Sequence, residues 1–193
     1  MPHHLIVHPA LEPLKAKFPE VKFLVGEMRG MITGVVPREN ILAVCTFLRD
    51  DAELRYDMLA ELNSVDYLNY PGAAHRFGVN YGLTSVSKNN RLWLKVFLDP
   101  TMSTAPKTAP RDEDILEKGD PGLKVDSVCG VWPGAEWMER EIYDMHGINF
   151  VGHHDLRRIL TWNGFGSYPL RKDYPLRGVG EREQYKIVTR EGA

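Results

Sequence analysis

The residues best placed to do chemistry fall in one stretch, where Glu139, Glu141 and Asp144 share a helical run and His146, His153 and His154 follow it. Paired carboxylates can act as general acid and base, and histidines with carboxylates can ligate a metal. A raised catalytic pKa needs one carboxylate isolated from its neighbours. Here Glu136, Arg140 and Asp144 lie four apart on one helix face, so Arg140 is expected between two carboxylates and able to bond to both. The carboxylates therefore read as a solvated or partner-facing ion-pair row. Adjacent histidines on an extended segment point to opposite faces, and no HExxH spacing is present. His146, His153 and His154 are expected to hydrogen-bond at a turn, and His3, His4 and His8 carry the same weak signal. No catalytic residue and no metal ligand is assigned.

Cysteine and glycine usage excludes further chemistries. Cys45 and Cys129 lie far apart with no CxxC, too few for an iron–sulfur cluster or a four-cysteine zinc site. Both are expected as buried reduced thiols. No GxGxxG follows a strand, no GKS or GKT is present, and there is no GxSxG elbow, so no cofactor is assigned to the chain.

The segment from His153 to Gly178 carries Arg157, Arg158, Arg171, Lys172 and Arg177 against Asp155 and Asp173, five basic against two acidic, a local +3. Trp162, Phe165, Tyr168 and Tyr174 lie among them. Stacking on single-stranded nucleic acid needs such residues, but the whole chain has a net charge of −2, and Pro169 and Pro175 impose a winding course. Arginine and aromatic side chains are also what protein interfaces enrich, and a protein partner is the better reading. The 193 residues, 43% hydrophobic and 26% charged, match an ordinary globular protein. No apolar run approaches the roughly 20 residues of a membrane span. The start, MPHHLIVHPALEPL, lacks a basic n-region, so a cleaved leader is not expected.

These residues need a scaffold, and the hydrophobic pattern outlines one. A short helix is expected over His8–Phe18, with strands at Val21–Val25 and Met31–Val36. Pro37 opens a helix through Arg49 with Ile41, Cys45 and Leu48 inward. Leu54–Tyr70 fits helix or strand equally. Phe77–Leu83 and Leu92–Leu98 alternate around the Ser87–Asn90 turn as a hairpin. The second of these strands has two largely apolar faces and is expected centrally in a sheet covered on both sides. A mobile loop is expected over 100–122. Pro133–His146 reads as a helix stopped by a left-handed Gly147, with Met138, Ile142 and Met145 inward. The fold class is α+β, a small mixed or antiparallel sheet with packed helices and an extended C-terminal tail. The division expected is a core over 1–131 and a motif helix with a partner-docking tail over 132–193.

Longer patterns carry a resemblance. ERE-x-YDM-x-GI-x-F at Glu139–Phe150, GH-x-DLRRIL at Gly152–Leu160 and PLRKDYPL at Pro169–Leu176 resemble the signature of the 30-kDa subunit of respiratory complex I (its C subunit, or J subunit in photosynthetic relatives). Leu54–Tyr67 and Ser85–Leu98 are similar to the family's strand-and-turn and hairpin. His146 stands where the family often has an aromatic residue, His154 where it has proline, and Tyr168 where histidine is common. The resemblance implies a cofactor-free member of the hydrophilic arm of NADH-quinone oxidoreductase, docked on the larger quinone-site D subunit beside iron–sulfur subunits. NAD(H) or another donor, FMN, clusters and quinone would sit on other subunits. It implies a peripheral position at the cytoplasmic side of the inner membrane. Arg140, Arg157, Arg158, Arg171, Lys172 and Asp173 would lie at or near the interface, and the tail would wrap the partner in extended form. The matching subunit of a membrane-bound hydrogenase or deazaflavin-dependent dehydrogenase is the alternative, and a small metal-dependent hydrolase a distant one.

Overall fold

Ile41, Val44, Cys45 and Leu48 fall at i, i+3, i+4 and i+7 and are all buried, the stripe that makes an amphipathic helix. They form the inner face of α2 (Ile41–Asp50), which a single 3-10 turn over Arg38–Asn40 leads into. A shorter helix, α1 (Leu11–Lys17), buries Leu11 and Leu14. The computed structural model describes residues 6–101 and 120–178. His3, His4 and most of the loop expected over 100–122 lie outside the described residues, as does the end of the tail.

Strands β1 (Leu24–Met28) and β2 (Met31–Val35) pair as a hairpin. Arg29 and Gly30 both have positive φ, 53° and 79°, as a two-residue turn matched to strand twist requires. β1 thus starts later than the expected Val21. Strands β4 (Phe77–Ser85) and β5 (Asn90–Leu98) form the predicted hairpin, in register from Phe77↔Leu98 to Ser85↔Asn90. The ambiguous Leu54–Tyr70 resolves as β3 (Met58–Asp66), antiparallel to β4. A bulge between Leu59 and Glu61 explains the ambiguity. The extra residue puts Leu59 and Leu62, three apart, on the core face, which breaks the period of two. β2 pairs parallel with β5, so the sheet is mixed, in the order β1-β2-β5-β4-β3.

β5 is central, as its composition suggested, but the sheet is not covered equally on both faces. Leu92, Leu94, Val96 and Leu98 are buried in the core, while Trp93, Lys95 and Phe97 behind them are only half-buried. That rear face is dressed by its own rings. Trp93 lies over Gly82, where a Cβ would come within 3.0 Å of the indole, and His75 stacks on Phe97 at 5.0 Å.

Beyond the sheet, β6 (Lys124–Asp126) pairs parallel with β7 (Asn149–Val151). Between them runs α3 (Ala135–His146), ended by Gly147 at φ 72° with its N–H on the Tyr143 carbonyl. Ala135, Ile142, Ile148 and Phe150 join the same buried cluster as α2 and the sheet. The α+β class is therefore observed, with three α-helices and one mixed five-stranded sheet among the described residues. Past Val151 the described chain forms neither helix nor strand and runs as a series of turns.

Candidate docking site at the tail junction

The tail is drawn back onto the end of α3 by a buried carboxylate. Asp144 is fully buried and accepts hydrogen bonds from the consecutive backbone N–H groups of Ile159, Leu160 and Thr161 at 3.0, 2.7 and 2.8 Å. Three such donors make an anion-binding concavity. Arg158 Nη1 closes it with an ion pair at 2.7 Å, its side chain only 5% exposed, and the Thr161 hydroxyl adds another donor. Burial alone would raise the Asp144 carboxyl. The bonds from Thr161, Leu160 and Arg158 outweigh it and hold the group below its ordinary value. Arg158 also donates to the Ser167 carbonyl and lies over the rings of Phe165 and Tyr168.

The expected bond between Arg140 and Asp144 does not form. Arg140 donates instead to the carbonyls of Arg157 and Arg158 and faces Asp155 at 3.9 Å, while Glu136 faces His154. An i,i+4 pair is a surface interaction worth a few tenths of a kcal/mol. A fully buried carboxylate needs several donors, and the loop at 158–161 supplies them.

A second tether lies at the end of β3. Asp66 accepts from the Lys172 N–H at 2.9 Å and from Arg76 at 3.2 Å, and Arg76 also pairs with Asp173 at 2.8 Å. Between the tethers, the chain passes the C-terminus of α3. Arg171 Nε donates to the His146 carbonyl at 2.7 Å, serving a helix-end acceptor. Its guanidinium lies 4.4 Å from the centre of the Tyr168 ring. Gly147 is required here twice over. Its φ is left-handed, and a Cβ would lie 2.5 Å from the Tyr168 ring. His146 itself is buried, hydrogen-bonded through Nδ1 to Ser64 Oγ at 2.6 Å, and burial lowers its pKa to about 4.

Two of the six interface candidates stay exposed. Arg157 and Lys172 present their side chains to solvent, whereas Arg140, Arg158, Arg171 and Asp173 turn toward the chain itself. What faces outward beside Arg157 and Lys172 is apolar: Leu160 is 64% exposed, Trp162 49%, Leu170 54% and Leu176 fully. Sequence reasoning missed this set because a turn-rich segment has no periodicity from which a face can be read. It also missed Asp66 and Arg76, the partners that the basic tail finds in its own chain.

The carboxylate row needs a further correction. Glu139 is neither solvated nor one of a row: it is fully buried. It accepts from Ser127 Oγ and the Val128 N–H, both at 2.7 Å, and from the Cys129 thiol at 3.4 Å. Burial pushes its pKa up despite these bonds. His153 does hydrogen-bond at a turn, to the Glu136 carbonyl and from the Asp155 N–H. Its ring stacks on that of His154 at 5.1 Å rather than opposing it, because Gly152 at φ 85° makes the segment a turn and not an extended run.

This junction involves the stretches that carry the family signature. The family described as "Respiratory-chain NADH dehydrogenase, 30 Kd subunit" matches residues 34–179. The chain belongs to that family. The chain is 41% identical over 177 residues to the C subunit of NADH-quinone oxidoreductase from Geotalea uraniireducens, covering 92% of each chain. To the C subunit of Caulobacter vibrioides it is 45% identical, over 79% of this chain and 65% of the relative. Among solved structures, a trypsin-resistant fragment of Nqo5 superposes with a TM-score of 0.57 at 27% identity, over 76% of this chain and 96% of that one. A chain of the membrane-bound sulfane sulfur reductase, an archaeal respiratory membrane complex, shares the fold with a TM-score of 0.60 at 23% identity, over 95% and 94%. Among the described residues, no helix is long and apolar enough to cross a membrane.

Proposed function

We propose that this chain is a non-catalytic part of the hydrophilic arm of NADH-quinone oxidoreductase, docked on the quinone-site D subunit by the outer face of its tail. The carrying observation is the division of the tail into two sides. Arg158, Arg171 and the Lys172 N–H hold the inner side to α3 and β3, with Asp173 paired to Arg76, while Leu160, Trp162, Leu170 and Leu176 face outward. A chain does not spend an ordering network on presenting leucines to water, and exposed apolar groups framed by Arg157 and Lys172 suit a protein interface. In this reading the chain binds no redox cofactor. It positions neighbours that hold FMN, iron–sulfur clusters and quinone, at the cytoplasmic face of the membrane.

The test is affinity purification of the tagged chain from mild-detergent extracts of its host, alongside a Leu160→Asp/Leu176→Asp variant. Wild type should recover the quinone-site and iron–sulfur subunits, and the variant should fold normally but recover neither. Normal incorporation of the variant would defeat the docking face. Recovery of hydrogenase subunits would transfer the chain to the related complex.

A further inference from the structure

At the beginning of α3, away from the tail junction, three donors of different chemistry meet. Cys129 Sγ, a carboxylate oxygen of Glu139 and a ring nitrogen of His153 all lie within 4.8 Å of one another. We propose that they form a binding site for a divalent transition-metal ion of the zinc class, with water as the fourth ligand.

The donor set is the first argument. Thiolate, imidazole and carboxylate together select zinc or cobalt over the oxygen-seeking magnesium and calcium. Tetrahedral bonds of about 2.0–2.3 Å put ligand atoms roughly 3.3–3.8 Å apart. Cys129 Sγ and Glu139 Oε2 already stand at 3.4 Å.

Charge is the second. The hydrogen-bond partners of Glu139 are a hydroxyl, a backbone N–H and a thiol, all neutral. Among the described residues no arginine or lysine makes an ion pair with it. The positive neighbour that favours its ionised form is the His153 ring, itself one of the three ligands. A buried carboxylate held by neutral hydrogen-bond donors is costly, and a bound dication would supply the charge.

Support from the surrounding elements is the third. Cys129 sits on a turn held by its own N–H to Ser127 Oγ and by the Ser127 N–H to the Val151 carbonyl. Glu139 is on a helix, with Oε1 fixed by the Val128 N–H so that Oε2 faces the thiol. His153 follows the Gly152 turn and bonds to backbone groups through both ring nitrogens. Metal binding exchanges one of these two bonds and keeps the other as the outer support that ligating histidines use. Cys129 and His153 are half-buried, which leaves a route from solvent. On binding, the Cys129 S–H bond breaks, its proton leaves to solvent, and a sulfur–metal bond forms without change of oxidation state.

Cobalt titration of the purified full-length chain, stripped with chelator, tests this. One equivalent should bind with a thiolate-to-cobalt charge-transfer band and tetrahedral visible bands, and zinc should displace it. Glu139→Gln also mismatches the buried hydrogen bonds from Ser127 and Val128, so the half-buried ligands carry the test. Cys129→Ser should abolish the charge-transfer band and weaken zinc binding at least about tenfold. His153→Gln should weaken it similarly, with circular dichroism unchanged in both. A His3→Gln/His4→Gln/His8→Gln control should bind as wild type. No bound equivalent in wild type, affinity untouched by Cys129→Ser, or loss confined to the N-terminal histidine control would overturn the site.

Discussion

Asp144 and Glu139 lie on the same helix, and both are fully buried, yet their surroundings differ in kind. Asp144 receives three backbone N–H groups, a hydroxyl and a guanidinium. Glu139 receives three neutral donors. Both groups are raised by burial, but only at Asp144 do the donors win, so its pKa falls while that of Glu139 rises. Equal burial therefore does not mean equal charge cost. The region that must hold a basic tail is built around a stably ionised carboxylate. The region that closes the 127–129 turn is built around one that is short of positive charge.

The largest expected effect sharpens that contrast. Arg158→Ala leaves the Asp144 carboxylate buried without its cation and should cost about 3–5 kcal/mol in urea unfolding. Glu139→Gln keeps the shape and breaks no ion pair, so its loss should be smaller, about 1–3 kcal/mol for mismatched hydrogen bonds. Equal losses would mean that the arginine is incidental and the contrast unfounded.

The pH dependence separates the two regions by sign. The folded-state pKa of Asp144 lies below its ordinary 3.8. Its contribution is complete above that value and is lost as pH falls through the depressed one. The folded-state pKa of Glu139 lies above its ordinary 4.5. Its contribution is complete below 4.5 and is lost as pH rises through the raised one. As pH is lowered from neutrality, the stability lead of wild type over Asp144→Asn should shrink, and its lead over Glu139→Gln should grow. Parallel curves for the two variants would erase the distinction.

Much of this scaffold was legible because it rests on local rules. The α2 stripe, the β4–β5 alternation and the Gly147 stop each depend on residues within a few positions of one another. β3 was not legible, since its bulge disrupts the period on which strand recognition depends. The junction was legible only as a set of charged residues. Arg158 finds Asp144, Arg76 finds Asp173, and His146 finds Ser64, over separations of 14, 97 and 82 positions. Such pairings depend on how the turns fold back, which no spacing rule encodes. The same blindness hid Glu139, because a carboxylate at helical spacing beside other charges looks solvated until the neighbouring turn is seen to cover it.

The smallest expected effect lies next to the largest. Arg157 adjoins Arg158 but its side chain is 69% exposed, and its bond to Asp155 at 3.0 Å is a surface pair. Arg157→Ala should change the unfolding free energy by less than about 0.5 kcal/mol, within the error of most unfolding curves. If the tail has one side for its own core and one for a partner, this variant should still lower recovery of the chain in its complex. Arg158→Ala should be lost earlier, through instability of the chain itself. A tagged pull-down run beside urea melts of both variants reads the two effects separately. A large stability loss for Arg157→Ala would show that both arginines serve the fold and that the division of the tail into two sides is wrong.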